Sequence, residues 1–122
     1  MNQLRLIYKD SIGYVPETKI NSAQLGILWE LMCEIPVKNP DWLISDLSDQ
    51  SLTGMDIIEF DYEGSDVIIS NQFESYDEGG PCVRIKKDKL LDFVGKYVQL
   101  ATKKTSKIFL ACIDGEYSVH EG

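Results

Sequence analysis

Between Lys38 and Arg84 the sequence contains neither lysine nor arginine. The same interval holds eleven carboxylates: Asp41, Asp46, Asp49, Asp56, Glu59, Asp61, Glu63, Asp66, Glu74, Asp77 and Glu78. The net charge is -8, which opposes nucleic acid or an anionic membrane as a partner. There is a single histidine, His120, close to the end of the chain. It is expected to be exposed and without a partner, and without it neither a Ser-His-Asp nor a Cys-His arrangement can be assembled from these residues. Gly-x-Gly-x-x-Gly, Walker and His-Glu-x-x-His motifs are missing. No apolar run comes near the roughly 18 residues of a membrane span, and the first residues lack the apolar stretch of a signal peptide. A cytoplasmic protein is expected.

Cysteines are few and widely spaced: Cys33, Cys82 and Cys112. The odd count argues against a disulfide framework, and the lack of a Cys-x-x-Cys pair argues against a structural zinc site. Buried free thiols are expected, and no cofactor.

What is present suits one globular domain over residues 1–122. The hydrophobic fraction of 43% and charged fraction of 26% are ordinary for such a domain. Leu4 to Tyr8 reads as a short strand, followed by a turn region with Gly13 and Pro16. Asn21 or Ser22 caps a helix from Ala23 to Ile35, whose apolar residues recur at helical spacing until Pro36 stops it. Trp42 to Leu47 suits a short helix or an irregular segment. Met55–Tyr62 and Asp66–Phe73 read as two strands joined by Gly64-Ser65, the chemistry of a type II′ turn. That turn predicts Glu63 opposite Asp66, Tyr62 opposite Val67, Asp61 opposite Ile68 and Phe60 opposite Ile69. Alternation then places Ile58, Phe60, Tyr62, Val67 and Ile69 on one face and Glu59, Asp61 and Glu63 on the other.

After a polar loop from Glu74 to Pro81, Cys82–Lys86 reads as a strand. Asp88 is the expected N-cap of a helix reaching about Thr102. Ile108–Ile113 is a core strand, and Asp114-Gly115 is a type I′ signal leading to a last strand near Glu116–Val119. The fold class is α+β: a largely antiparallel sheet with two main helices packed on one face.

Three readings of the acidic interval compete. One is a solvated outer face, neutralised by Arg84 and Lys86 if strand Cys82–Lys86 lies beside Met55–Tyr62. Another is a metal-dependent enzyme site using Glu59, Asp61 and Asp66. Same-face strand positions are about 6.5–7 Å apart, too far for Glu59, Asp61 and Glu63 all to chelate one ion unaided. The third is a protein-binding surface. Phe73, Tyr76 and Trp42 lie among the carboxylates, and aromatics with a charged rim are the usual make-up of an interface hot spot. Glu63 facing Asp66 would be repulsive, a penalty of about 0.2–1 kcal/mol. Retaining it favours a use for the charge. The segment from Asn71 to Gly80 reads as an exposed loop able to enter a basic cleft.

In length, cytosolic signature, α+β order and acidic, aromatic-dotted centre at Glu59 to Glu78, the chain resembles the small acidic immunity proteins of bacterial toxin systems, including contact-dependent growth inhibition. That resemblance implies a non-enzymatic inhibitor of a cognate, basic toxin domain, often a nuclease. It supplies no residue correspondences. The expected partner-binding residues are Glu59, Asp61, Glu63, Asp66, Phe73, Glu74, Tyr76, Asp77 and Glu78, with the loop favoured over the strand face. An adaptor domain for another protein would present the same surface.

Overall fold

The computed structural model describes residues 2–74 and 76–122. In chain order the elements are β1 (Asn2–Lys9), β2 (Gly13–Pro16), α1 (Ala23–Glu34), α2 (Asp41–Ser48), β3 (Ile58–Glu63), β4 (Asp66–Asn71), β5 (Val83–Lys86), α3 (Lys87–Thr102), β6 (Lys107–Ile113) and β7 (Glu116–Glu121). A single 3-10 turn, Tyr76–Glu78, lies between β4 and β5. The fold is α+β, and every strand pairing is antiparallel.

The strands divide into two sheets, ordered β2-β1-β6-β7 and β3-β4-β5. Turn chemistry sets much of this. At Asp114-Gly115 both residues have positive φ, 52° and 80°, as a type I′ turn demands, and β6 and β7 pair from Ile113 opposite Glu116 onward. At Gly64-Ser65 only the glycine does, with φ 60°, the type II′ pattern. The register it produces is Glu63–Asp66, Tyr62–Val67, Asp61–Ile68 and Phe60–Ile69, as the turn residues predict.

Helices α1 and α3 cover the inner face of each sheet: α1 touches β1 and β6 as well as β3, β4 and β5, and α3 touches β4, β5 and β7. Their buried stripes, Leu25, Ile27, Leu28, Leu31 and Met32 on α1 and Leu90, Phe93, Val94, Tyr97 and Leu100 on α3, join Leu4, Leu6, Ile58, Phe60, Val67, Ile69, Ile108 and Leu110 in one continuous core. Ser22 caps α1 by accepting a hydrogen bond from the Leu25 N–H at 3.3 Å.

Several expectations are corrected. The turn region after β1 contains a strand of its own, β2, which Gly13 enters at φ 96°. Lys86, not Asp88, is the N-cap of α3; Asp88 sits inside the first turn, and its carboxylate accepts from the Lys89 N–H at 2.9 Å. The cysteines are free, but Cys33 is exposed and Cys82 and Cys112 are only half-buried. Cys33 lies outside the buried stripe of α1. Among the described residues no helix is long and apolar enough to cross a membrane.

Candidate functional site

Four carboxylates of the middle interval, Glu59, Asp61, Glu63 and Asp66, lie on the outer face of the β3-β4-β5 sheet. Strand alternation sends Ile58 and Phe60 into the core and Glu59, Asp61 and Glu63 to the other side. On β4 the same rule sends Asp66, Ile68 and Ser70 outward. Asp61 stands directly opposite Ile68, and Glu59 opposite Ser70.

Strand β5 pairs with β4, not with β3. Its antiparallel connection returns the chain to the free edge of β4, while the segment before β3 already occupies the other edge. There the Phe60 N–H donates to the Thr53 carbonyl at 3.0 Å and the Met55 N–H to the Ile58 carbonyl at 2.8 Å. Arg84 and Lys86 therefore reach the turn end of the hairpin alone. Arg84 forms ion pairs with Glu63 and with Asp66, each at 3.1 Å, and Lys86 contacts Asp66 at 2.7 Å. The Glu63–Asp66 repulsion is thus bridged by one guanidinium. Lys86 and Arg84 hold the Asp66 carboxyl below its ordinary range, chiefly by hydrogen bonding. Nine of the eleven carboxylates have no ion-pair partner among the described residues.

The segment after β4 does not stand free as an isolated loop. Ile68 and Ser70 face away from the main core, yet each is only 1% exposed. The Tyr76 phenol is pushed up, first by partial desolvation, then by hydrogen bonding to Asp61 and by the charges of Asp61, Asp77 and Glu63. These causes put Tyr76 near Asp61, Glu63 and Asp77. Asp61, Glu63, Tyr76 and Asp77 form one surface, where the sequence suggested two. A clue to this was present in Val67-Ile68-Ile69: three consecutive apolar residues signal a strand covered on both faces.

Phe73 is the most exposed large apolar side chain of the site, at 78%. Its backbone is fixed from behind. The Asn71 side-chain oxygen accepts from the Phe73 N–H at 2.8 Å, and the Asn71 amide donates to Glu30 of α1 at 3.0 Å. The neighbouring Gln72 donates from its backbone to the Ile57 carbonyl at 2.8 Å and from its side chain to the Asp56 carbonyl at 2.7 Å. Glu74, Asp77 and Glu78, close by in sequence, are exposed. Glu59 lies at the far end of β3, where it bridges to Gly54. Trp42 stands on α2, 43% exposed.

Among the described residues no group of three or more His, Cys, Asp or Glu side chains converges as metal ligands do. Asp66, one of the three carboxylates considered for a metal, is instead clasped by two cations. His120 lies on β7, stacked on Phe109 with ring centroids 5.1 Å apart, and its Nε2 is 2.7 Å from the Ser118 hydroxyl.

Comparison with protein-family models, with curated proteins and with solved structures gives no match to this chain.

Proposed function

We propose that this chain is a non-enzymatic binding protein whose acidic β3–β4 face and following loop seat a basic protein domain. The role that suits it best is immunity: occupation of a cognate toxin's basic active-site cleft, as in bacterial contact-dependent toxin systems. The observation that carries this reading is Phe73. A phenylalanine held almost wholly in water by a braced backbone, beside carboxylates without cation partners, combines an apolar anchor with a charged rim. Unpaired carboxylates also steer a basic partner in from a distance. A cytoplasmic location accords with this role.

The test begins with the reading frame next to this chain's own gene: a basic domain at its end is the expected partner, and its absence would count against immunity. Affinity is measured by calorimetry across a salt series, and protection is read as growth when the two are co-expressed. Reversing Asp61, Glu63, Asp77 and Glu78 to lysine should weaken binding and flatten its salt dependence. Phe73→Ala should cost about 2 kcal/mol of binding, roughly 30-fold in affinity, while changing stability by no more than about 0.5 kcal/mol. Unchanged affinity in both variants would place the interface elsewhere.

A further inference from the structure

A second candidate site shares no residue with the acidic face. The β1–β2 hairpin, the end of α1 with the residues that follow it, and α3 frame a cleft of about 460 Å³. Its walls are largely apolar: Tyr14, Trp29, Met32, Ile35, Pro36 and Val37 line it. That size and lining suit a small-molecule site, in which a few placed polar groups orient the ligand.

Three aromatic residues with polar groups line this cleft, and two of those groups are already used. The Tyr14 hydroxyl donates to the Thr105 carbonyl at 2.6 Å. The Trp29 indole N–H donates to the Tyr14 carbonyl at 3.0 Å. The Tyr97 hydroxyl, on α3, has no hydrogen-bond partner among the described residues, although Tyr97 is only 6% exposed. Fully enclosed side-chain oxygens without a partner occur at Glu34 and Ser70 among the described residues, and the Tyr97 oxygen is not one of them. It therefore reaches open space, and the cleft is the space that Tyr97 lines.

Protonation sets the kind of ligand. Cys33 also lines the cleft. Burial pushes the Tyr97 phenol up to about 12, and the neighbouring Cys33 adds to the effect. Burial pushes the Cys33 thiol up as well, helped by the charges of Glu30 and Glu34. Both groups keep their protons at neutral pH and can donate, so the complementary ligand carries an acceptor. The desolvation that opposes a phenolate or a thiolate here opposes an anionic ligand too, and Glu30 and Glu34 add repulsion. The one charged residue in the lining, Lys38, is exposed.

We propose that this cleft binds a small, uncharged and mainly apolar molecule bearing a carbonyl group, whose oxygen accepts from the Tyr97 hydroxyl. Trp29 and Tyr14 offer aromatic surface to the body of such a molecule. A hydroxyl buried without a partner is unfavourable, and the ligand carbonyl relieves that state. Binding is non-covalent, because a thiol held in its protonated form is a poor nucleophile.

The probe is acetophenone, titrated into the intact protein and followed by the methyl NMR signals of Met32, Ile35 and Val37. Saturable shifts of these lining methyls are expected. Two companion probes separate the contributions: ethylbenzene has the same apolar body without the oxygen, and benzoate replaces the ketone with a charge. Tyr97→Phe should weaken acetophenone about fivefold, the weight of one neutral hydrogen bond, and leave ethylbenzene binding unchanged. Unchanged ethylbenzene binding also shows that the cleft of the variant is intact. Benzoate should bind the wild-type protein at least about tenfold more weakly than acetophenone. The proposal is overturned if acetophenone gives no saturable shift at these methyls, if Tyr97→Phe weakens both neutral probes equally or neither, or if benzoate binds as tightly as the ketone.

Discussion

Ile68 and Ile69 are adjacent, equally buried and chemically identical, yet they face opposite sides of β4. Ile69 belongs to the main core, whereas Ile68, equally buried, stands outside it on the face that carries Asp61; the prediction to be tested is cover by the chain that follows β4. Truncating each to alanine removes three carbons, about 2.4 kcal/mol of transfer free energy at about 0.8 kcal/mol per carbon. What differs is the cavity. At Ile69 two helices and a sheet hold the space open, and a residual void costs about 24 cal/mol per Å³. Ile69→Ala should therefore cost about 4 kcal/mol. At Ile68 the covering segment is a loop that can settle inward or lift away, so Ile68→Ala should stay near 2–2.5 kcal/mol. Urea denaturation followed by the fluorescence of Trp29 and Trp42 measures both, with the slope m checked for constancy. The second signature is local. Ile68→Ala should release the segment around Tyr76 and speed its cleavage at Phe73 or Glu74 by a protease, while Ile69→Ala at matched overall stability should not. Equal losses in the two variants, with equal cleavage, would refute a separate covering layer over this face.

Two further outcomes follow from groups whose ionisation is tied to the fold. The Asp66 carboxyl is held below its ordinary range, so the stabilisation it brings is complete at neutral pH and fades as pH falls below about 4; Arg84→Met should lower the urea midpoint at pH 7 and leave it little changed near pH 2.5. Burial pushes the Tyr97 phenol up to about 12, so stability should be full below pH about 10 and decline by roughly 2–3 kcal/mol as pH rises from about 10 to about 12. Tyr97→Phe should be near neutral at pH 7 and flatten that decline in a denaturation series from pH 7 to 11.5.

The parts of the fold legible in the sequence are those written in local chemistry. Gly64-Ser65 and Asp114-Gly115 specify their turns and hence every pair in two hairpins, because turn type fixes register. The stripes of α1 and α3 are equally local. Long-range choices are not encoded this way. Whether Cys82–Lys86 would lie beside β3 or β4 depended on which edge the residues before β3 would cover, and Thr53 and Met55 settle it through backbone bonds that no side-chain pattern announces. Strand β2 was hidden because Gly13 and Pro16 read as punctuation. At the acidic surface, the carboxylates were visible from the start. The fold-back of Tyr76 onto Asp61 was not, since a polar loop carries no periodicity; only the doubled isoleucine in β4 hints at it.

The partition into two sheets also bears on how the chain acquires its structure. The three-stranded sheet is drawn entirely from residues 58–86, so its contacts are local in sequence. The four-stranded sheet joins β1 to β6, with Leu4 beside Leu110, a pairing whose loop must close across most of the polypeptide. Contact order makes the first assembly fast and the second slow. During synthesis the acidic hairpin sheet can form while β1 still waits for its neighbour, shielded on one edge only by its hairpin with β2. The central strands of the larger sheet are therefore the last to meet, and β1 is the segment most exposed to wrong pairing until they do.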